Sequence, residues 1–183
     1  NTDICTFDVI PSDNIDPVAV AQPITVNLAP NGTVNISGID LENGSTDNCG
    51  IASYSVSPSS FTCADVGINN VTFTVFDNAG NSDSTTTTVT IVDVTPPTVL
   101  CNNFVVVVDP ITRVATIVVA DIDNGSNDAC GIGTMTLSQY TFPDNPTAYN
   151  APVTLTVVDV NGNSNSCTAT VTVEPPRNPF TVL

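Results

Sequence analysis

The sequence predicts an all-β protein made of tandem immunoglobulin-like β-sandwich domains, and three observations carry that prediction. Val, Thr, Ser, Asn and Asp dominate the 183 residues; 14 prolines and 10 glycines punctuate short apolar stretches; and long segments of the chain occur twice. β-Branched residues suit the pleated, half-buried surface of a sheet. Many short strands separated by turn signals are the pattern of a sandwich.

The elements follow from alternation. Residues 24–28, 34–36, 71–76 and 89–92 read as strands, because apolar β-branched residues alternate there with Thr, Asn or Ser. Pro30-Asn31-Gly32 and Asn78-Ala79-Gly80-Asn81 supply turns between them. The second half repeats the scheme at 104–108, 114–119, 153–158 and 168–173.

DLENGSTDNCGI at 40–51 returns as DIDNGSNDACGI at 121–132, and VTFTVFDNAGN at 71–81 returns as VTLTVVDVNGN at 153–163. A period of about 80 residues is the size of a seven-strand immunoglobulin-like domain. Residues 13–95 are therefore expected to form one repeat and 96–177 a second. NTDICTFDVI at 1–10 matches the last strand of the second copy, NSNSCTATVTV at 163–173, so residues 1–12 read as the last strand of a preceding repeat or as a donor strand for a neighbour. NPFTVL at 178–183 reads as the start of a following repeat. The junction Asp93-Val94-Thr95-Pro96-Pro97 is short and proline-stiffened, which predicts domains set end to end with restricted motion.

Composition excludes much chemistry. The chain has no His, Lys or Trp, only Arg113 and Arg177 as cations, and a formal charge of −16. A Ser-His-Asp triad, a Lys Schiff base and His-ligated zinc are all ruled out. Nothing is available to neutralise phosphates, so neither nucleic acid nor an anionic membrane surface is an expected partner. No apolar run approaches the roughly 18 to 20 residues that span a bilayer. The polar first residues predict no signal peptide. Catalysis is not expected: the acids that could act as a glycosidase pair recur in both copies inside turn motifs, and no Trp is present to stack a sugar.

Comparing the copies orders the cysteines. Cys101 and Cys167 stand where the first copy has Ala21 and Thr85, so both are present or both absent. That paired loss predicts a bridge between first and last strands, worth about 4 kcal/mol in the chain-entropy model. Cys49 and Cys63 both lie in the first copy and are expected to close a shorter loop. Cys130 then has lost its counterpart near Asp144 and is expected to be free, while Cys5 would pair upstream of residue 1. Disulfides imply an oxidising, extracellular location.

Acids recur at fixed positions: Asp40, Glu42 and Asp47 in one loop, Asp121, Asp123 and Asp128 in its twin, with Asp77 and Asp159 opening the DxxGN turns. Asp13, Asp16 and Asp93 lie at the domain junctions. Two cations cannot neutralise these carboxylates, and a hard ion taking six to eight oxygens, calcium, is the cofactor they would hold, with the loop acids ahead of the junction acids. The competing reading is turn chemistry, in which Asp and Asn cap local backbone without any metal. Sequons at Asn31, Asn35, Asn43, Asn70 and Asn124 are the number an Asn-, Ser- and Thr-rich chain throws up by chance.

The stretches NGSTDNCGI, SYSVSPSSFTCADVGINNVTFTVFDNAGN and SCTATVTV resemble the tandem repeats of giant surface adhesins from gliding and marine bacteria, and more distantly the hyalin-repeat domains of the immunoglobulin-like class. The resemblance covers nearly the whole chain. It implies a rigid structural or adhesive spacer at the cell surface, in attachment or motility, with neighbouring repeats or identical subunits as partners and a surface polysaccharide or protein as the thing bound. Two other functional classes stay open: a donor-strand filament using residues 1–10, and a carbohydrate- or protein-binding module using Tyr140 to Tyr149.

Overall fold

The computed structural model of the chain describes residues 12–176. The matching segment 1–10, Cys5, Arg177 and the segment 178–183 lie outside the described residues. The chain divides into two compact units, residues 12–28 with Thr33–Val92, and Ala29–Gly32 with residues 93–176.

In the first unit the strands are β1 (Ile24–Asn27), β2 (Thr33–Asn35), β3 (Ile51–Ser57), β4 (Ser60–Thr62), β5 (Gly67–Asp77) and β6 (Ser82–Val92). One sheet has the order β1-β6-β5-β3, the other pairs β2 with β4. β1 runs parallel to β6, with Ile24 opposite Val89, and β5 runs antiparallel to both β6 and β3. The second unit repeats this with β7 (Phe104–Val107), β8 (Val114–Thr116), β9 (Ile132–Leu137), β10 (Thr141–Pro143), β11 (Tyr149–Asp159) and β12 (Ser164–Glu174), in the orders β7-β12-β11-β9 and β10-β8. Before its first strand each unit lays an extended segment on its own loop, through the bridges Val18 with Thr46 and Ala21 with Glu42, then Thr98 with Asn127 and Cys101 with Asp123. Each unit is an immunoglobulin-like β-sandwich.

The core follows from the two-residue period of a strand. Along β5, Val71, Phe73 and Val75 point inward; along β11, Val153, Leu155 and Val157 do. Phe61 on β4 and Phe142 on β10 close the core from the other sheet. The inward register does not stop at the last apolar residue. Asp77 and Asp159 occupy the next inward position of their strands and are only 3% exposed.

Four short strands, β3, β4, β9 and β10, carry too few alternating apolar residues to stand out in the sequence; they form because pairing with β5, β2, β11 and β8 completes the sheets. Residues 114–119 do not form one strand. β8 ends at Thr116 and Val119 opens a one-turn helix, α2 (Val119–Ile122), the counterpart of α1 (Gly38–Leu41). Asp40 and Asp121 decide this locally, as each carboxylate takes the backbone N–H three residues before it, at Ser37 and Val118.

Candidate functional site: an acidic cluster at one end of each sandwich

The DxxGN turn builds the site. Asp77 Oδ1 accepts the N–H groups of Ala79, Gly80 and Asn81 at 2.6–2.8 Å, and its Oδ2 accepts Asn81 Nδ2 at 2.6 Å. Asp159 does the same with the N–H groups of Asn161 and Asn163 and with Asn163 Nδ2. Burial pushes both carboxyls up, but these hydrogen bonds to the charged form outweigh it and hold them below the ordinary Asp value. The turn Asn has a second task. Asn81 Nδ2 also donates to the Asp13 carbonyl at 3.2 Å, and Asn163 Nδ2 to the Asp93 carbonyl at 3.2 Å. The segment that enters each sandwich is thereby pinned to the turn that closes it.

The loop before the third strand supplies another carboxylate. Asp47 Oδ2 accepts Cys49 N–H and Gly50 N–H at 2.7 and 2.8 Å; Asp128 Oδ1 accepts Cys130 N–H and Gly131 N–H at 2.8 and 3.2 Å. Gly50 and Gly131 have φ of +100° and +107°, which only glycine adopts readily, so DNCG and DACG make the same turn. Asn78 Nδ2 ties that turn to the DxxGN turn through the carbonyls of Cys49 and Gly50.

Three carboxylates meet as a result. One oxygen each from Asp13, Asp47 and Asp77 lie within 4.8 Å of one another. Like charges at that distance repel by about 3 kcal/mol per pair at an effective dielectric near 20. In the second unit Asp93 and Asp128 meet in the same way, together with Cys130 Sγ. Asp13 Oδ2, Asp47 Oδ1 and Asp93 Oδ2 are buried with no hydrogen-bond partner, and Asp93 as a whole is 7% exposed. A cleft of ≈ 710 Å³ opens beside the first cluster, lined by Asp13, Ile15, Asn48, Cys49, Asn78 and Ala79 among others.

The structure sorts the sequence-predicted acids into two groups. Asp40 and Asp121 cap α1 and α2; the Ser37 N–H and hydroxyl hold the Asp40 carboxyl below its ordinary value. Glu42 accepts Gly44 N–H, Ser45 N–H and the Ser45 hydroxyl at 2.6–2.8 Å, and Asp123 accepts the N–H groups of Gly125 and Ser126. These four act as turn caps, and none joins the acidic clusters. Asp47, Asp77 and Asp128 do join them, and Asp159 holds the turn beside the second. The clusters combine loop and junction acids, since Asp13 and Asp93 lie in them beside Asp47, Asp77 and Asp128. The signal of Asp13 and Asp93 in the sequence was a spacing of 80 residues, the repeat period itself. Asp16 forms no part of either cluster.

The cysteines also depart from expectation. Cys101 is bridged to Cys167 with a Cα–Cα distance of 6.0 Å. Cys49 is a free, exposed thiol, whereas Cys63 and Cys130 are each half of a disulfide. The expected Cys49–Cys63 loop therefore does not form. Cys49 sits at Asn78, one end of β5, while the 3-10 turn Cys63–Asp65 is held by Asn69 near the other end. Nine residues of strand, about 30 Å, separate those ends, against the 7 Å limit for bridged Cα atoms. The neighbouring Asp13 carboxylate, then desolvation and the fields of Asp47 and Asp77, raise the Cys49 thiol above its ordinary value. A disulfide needs an oxidising compartment to persist.

Tyr140 and Tyr149, the sequence's candidate ligand platform, direct their hydroxyls to their own loop. Leu137 N–H donates to the Tyr140 hydroxyl at 3.0 Å, and the Tyr149 hydroxyl donates to the Pro143 carbonyl at 3.0 Å.

No protein-family model and no curated protein sequence matches the chain. Solved structures do match. Protocadherin Gamma C5 EC1-3 is 12% identical with a TM-score of 0.43, covering 88% of this chain and 68% of that one. The Clostridium thermocellum CbhA fibronectin(III)-like modules are 14% identical with a TM-score of 0.30, covering 91% and 95%. A titin segment of three immunoglobulin domains is 9% identical with a TM-score of 0.26, covering 88% and 65%. Likenesses this distant carry no argument about function; the sandwich is read from the strands themselves.

Proposed function

We propose that the chain is a structural and adhesive repeat segment of an extracellular bacterial surface adhesin or filament, a rigid spacer in cell-surface attachment or motility. The observation that carries this reading is that the second sandwich repeats the first strand for strand, including strand order, the bridges of the entering segment and the Asn-pinned DxxGN turn. Repetition of a whole module, turn chemistry included, is what a spacer needs, since length comes from copies rather than from a specialised site. The Cys101–Cys167 bridge and the resemblance of NGSTDNCGI and SCTATVTV to bacterial adhesin and hyalin repeats support a place outside the cell.

In this reading residues 13–95 and 96–177 are the modules, the partners are neighbouring repeats or identical subunits, and the chain is not an enzyme. The acids are the cofactor site, and an oxygen-only donor set favours calcium. Small-angle scattering of the chain in chelator tests the spacer directly. Scattering that fits two sandwiches arranged lengthwise, with a narrow distance distribution, is expected. A compact particle, or the broad distribution of a flexible tether, would overturn it.

A further inference from the structure

We propose that Asp13, Asp47 and Asp77 in the first unit, and Asp93 and Asp128 in the second, form two calcium sites, each fastening the segment that enters a sandwich to the loop before its third strand. The inference rests on the calcium part of the reading above and not on the adhesive part. Its first support is convergence: three carboxylates far apart in sequence bring oxygens within 4.8 Å of one another in one unit, and two do so in the other.

The second support is independent of the clustering. Asp93 is buried to 7% exposure, and while its Oδ1 accepts Thr95 N–H at 3.0 Å, its Oδ2 has no partner. Asp13 and Asp47 are only half-buried as residues, but one oxygen of each is placed in the same way. Asp13 Oδ1 takes Ile15 N–H and Asp47 Oδ2 takes its own turn, which leaves Asp13 Oδ2 and Asp47 Oδ1 buried and unmatched. A buried anionic oxygen without a donor is costly unless a proton or a cation satisfies it. Turn capping, which accounts for Asp40, Glu42, Asp121 and Asp123, uses one oxygen each of Asp13, Asp47 and Asp93 and leaves the other, whereas Asp77 has both oxygens engaged by its own turn.

The donor chemistry selects the ion. The first cluster offers only carboxylates. In the second, Cys130 Sγ is close but belongs to a disulfide, so it brings no thiolate. Oxygen donors in irregular geometry suit calcium better than zinc, which favours nitrogen and sulfur, or magnesium, which demands a near-ideal octahedron. Three carboxylates against two make the first site the tighter one.

Calorimetric titration of the full chain with calcium chloride tests this. Binding of about two ions per chain is expected, in the 10⁻⁴ to 10⁻³ M range of extracellular modules. Asp93→Asn with Asp128→Asn should remove the weaker event, and Asp13→Asn with Asp47→Asn the tighter one, each by at least about tenfold in affinity. Asp40→Asn with Asp121→Asn should leave both. Circular dichroism of every variant shows that the sandwiches persist, and Asp93→Ala repeats the test without an amide oxygen in place. Absence of binding at about 10 mM calcium, or binding that all the variants retain, would overturn the sites and leave shared protons as the explanation. Binding by a chain that scatters as a flexible tether would keep the sites and remove the spacer.

Discussion

The two sandwiches share topology and turn chemistry but differ in what holds them. Cys167 pairs with Leu155 across β11 and β12 at the register where Thr85 pairs with Phe73 across β5 and β6. The second unit thus fastens its entering segment covalently to its last strand, at the places where the first has Ala21 and Thr85. At the turn before the second strand, Gly32 at φ +76° is replaced by Arg113 at φ +61°, a conformation unusual for a side-chain-bearing residue. Arg113 there forms an ion pair with Asp144 and accepts its N–H. At the one-turn helix, Gly38 lies under Tyr54, which stacks on Phe73 at 5.8 Å between centroids, whereas Val119 and Met135 fill the same places in the second core. The pattern that stays constant is inward alternation plus Asp-held turns. Volume and cross-links are exchanged between copies so long as the sum fits.

The largest test of that difference is removal of the bridge. Cys101→Ala with Cys167→Ala should lower the stability of the second unit by about 4 kcal/mol, on the order of 20 °C in its melting temperature, and leave the first unit's calorimetric transition in place. An equal fall of both transitions would break the comparison.

Packing comes next. A Cβ added at Gly38 would lie 2.6 Å from Tyr54 Cβ and 2.7 and 2.8 Å from the backbone at Tyr54 and Ser55, so backbone must move. Gly38→Ala is expected to cost the first unit roughly 1–3 kcal/mol, read by urea denaturation, though the second unit carries valine at that place. A neutral result would show that the two cores are not differently packed.

The shared features predict equal effects. Asp40→Ala and Asp121→Ala each remove a helix cap and should each cost about 1 kcal/mol in their own unit. The smallest effect on the comparison is that of pH. Asp77 and Asp159 have depressed values in the folded state, so their stabilisation is complete above the unfolded carboxylate value near 4 and is lost as pH falls through the folded values. Both melting transitions should fall together as pH drops below about 4 in chelator, with the interval between them unchanged. One transition holding steady while the other falls would show that the turns are not equivalent.

The apolar parts of the long strands and both DxxGN turns were legible because a two-residue period and a glycine signal are local properties of the chain; the Ser- and Thr-rich first half of β6 was not, since it carries no apolar face. The repeat was legible because both copies are present, and aligning them also marks the register of Cys101 and Cys167. β3, β4, β9 and β10 were not legible, since their order comes from the strands beside them. Nor was the fate of Cys49, which depended on which end of β5 each loop reaches.

Among the acids the division is the same. That Asp-Asn-Gly loops would cap backbone follows from sequence spacing alone, because donor and acceptor lie within four residues. Which acids would be left with an unmatched oxygen does not. Asp13 lies 34 residues from Asp47 and 64 from Asp77 in the chain. They meet because strand length, the inward register of Asp77 and the hydrogen bond from Asn81 to the Asp13 carbonyl bring three distant segments to one end of the sandwich. By itself the sequence determined the sandwich, its repetition and the acidity of its loops; only the tertiary structure decided which carboxylates share a site, because convergence depends on distances that local spacing does not encode.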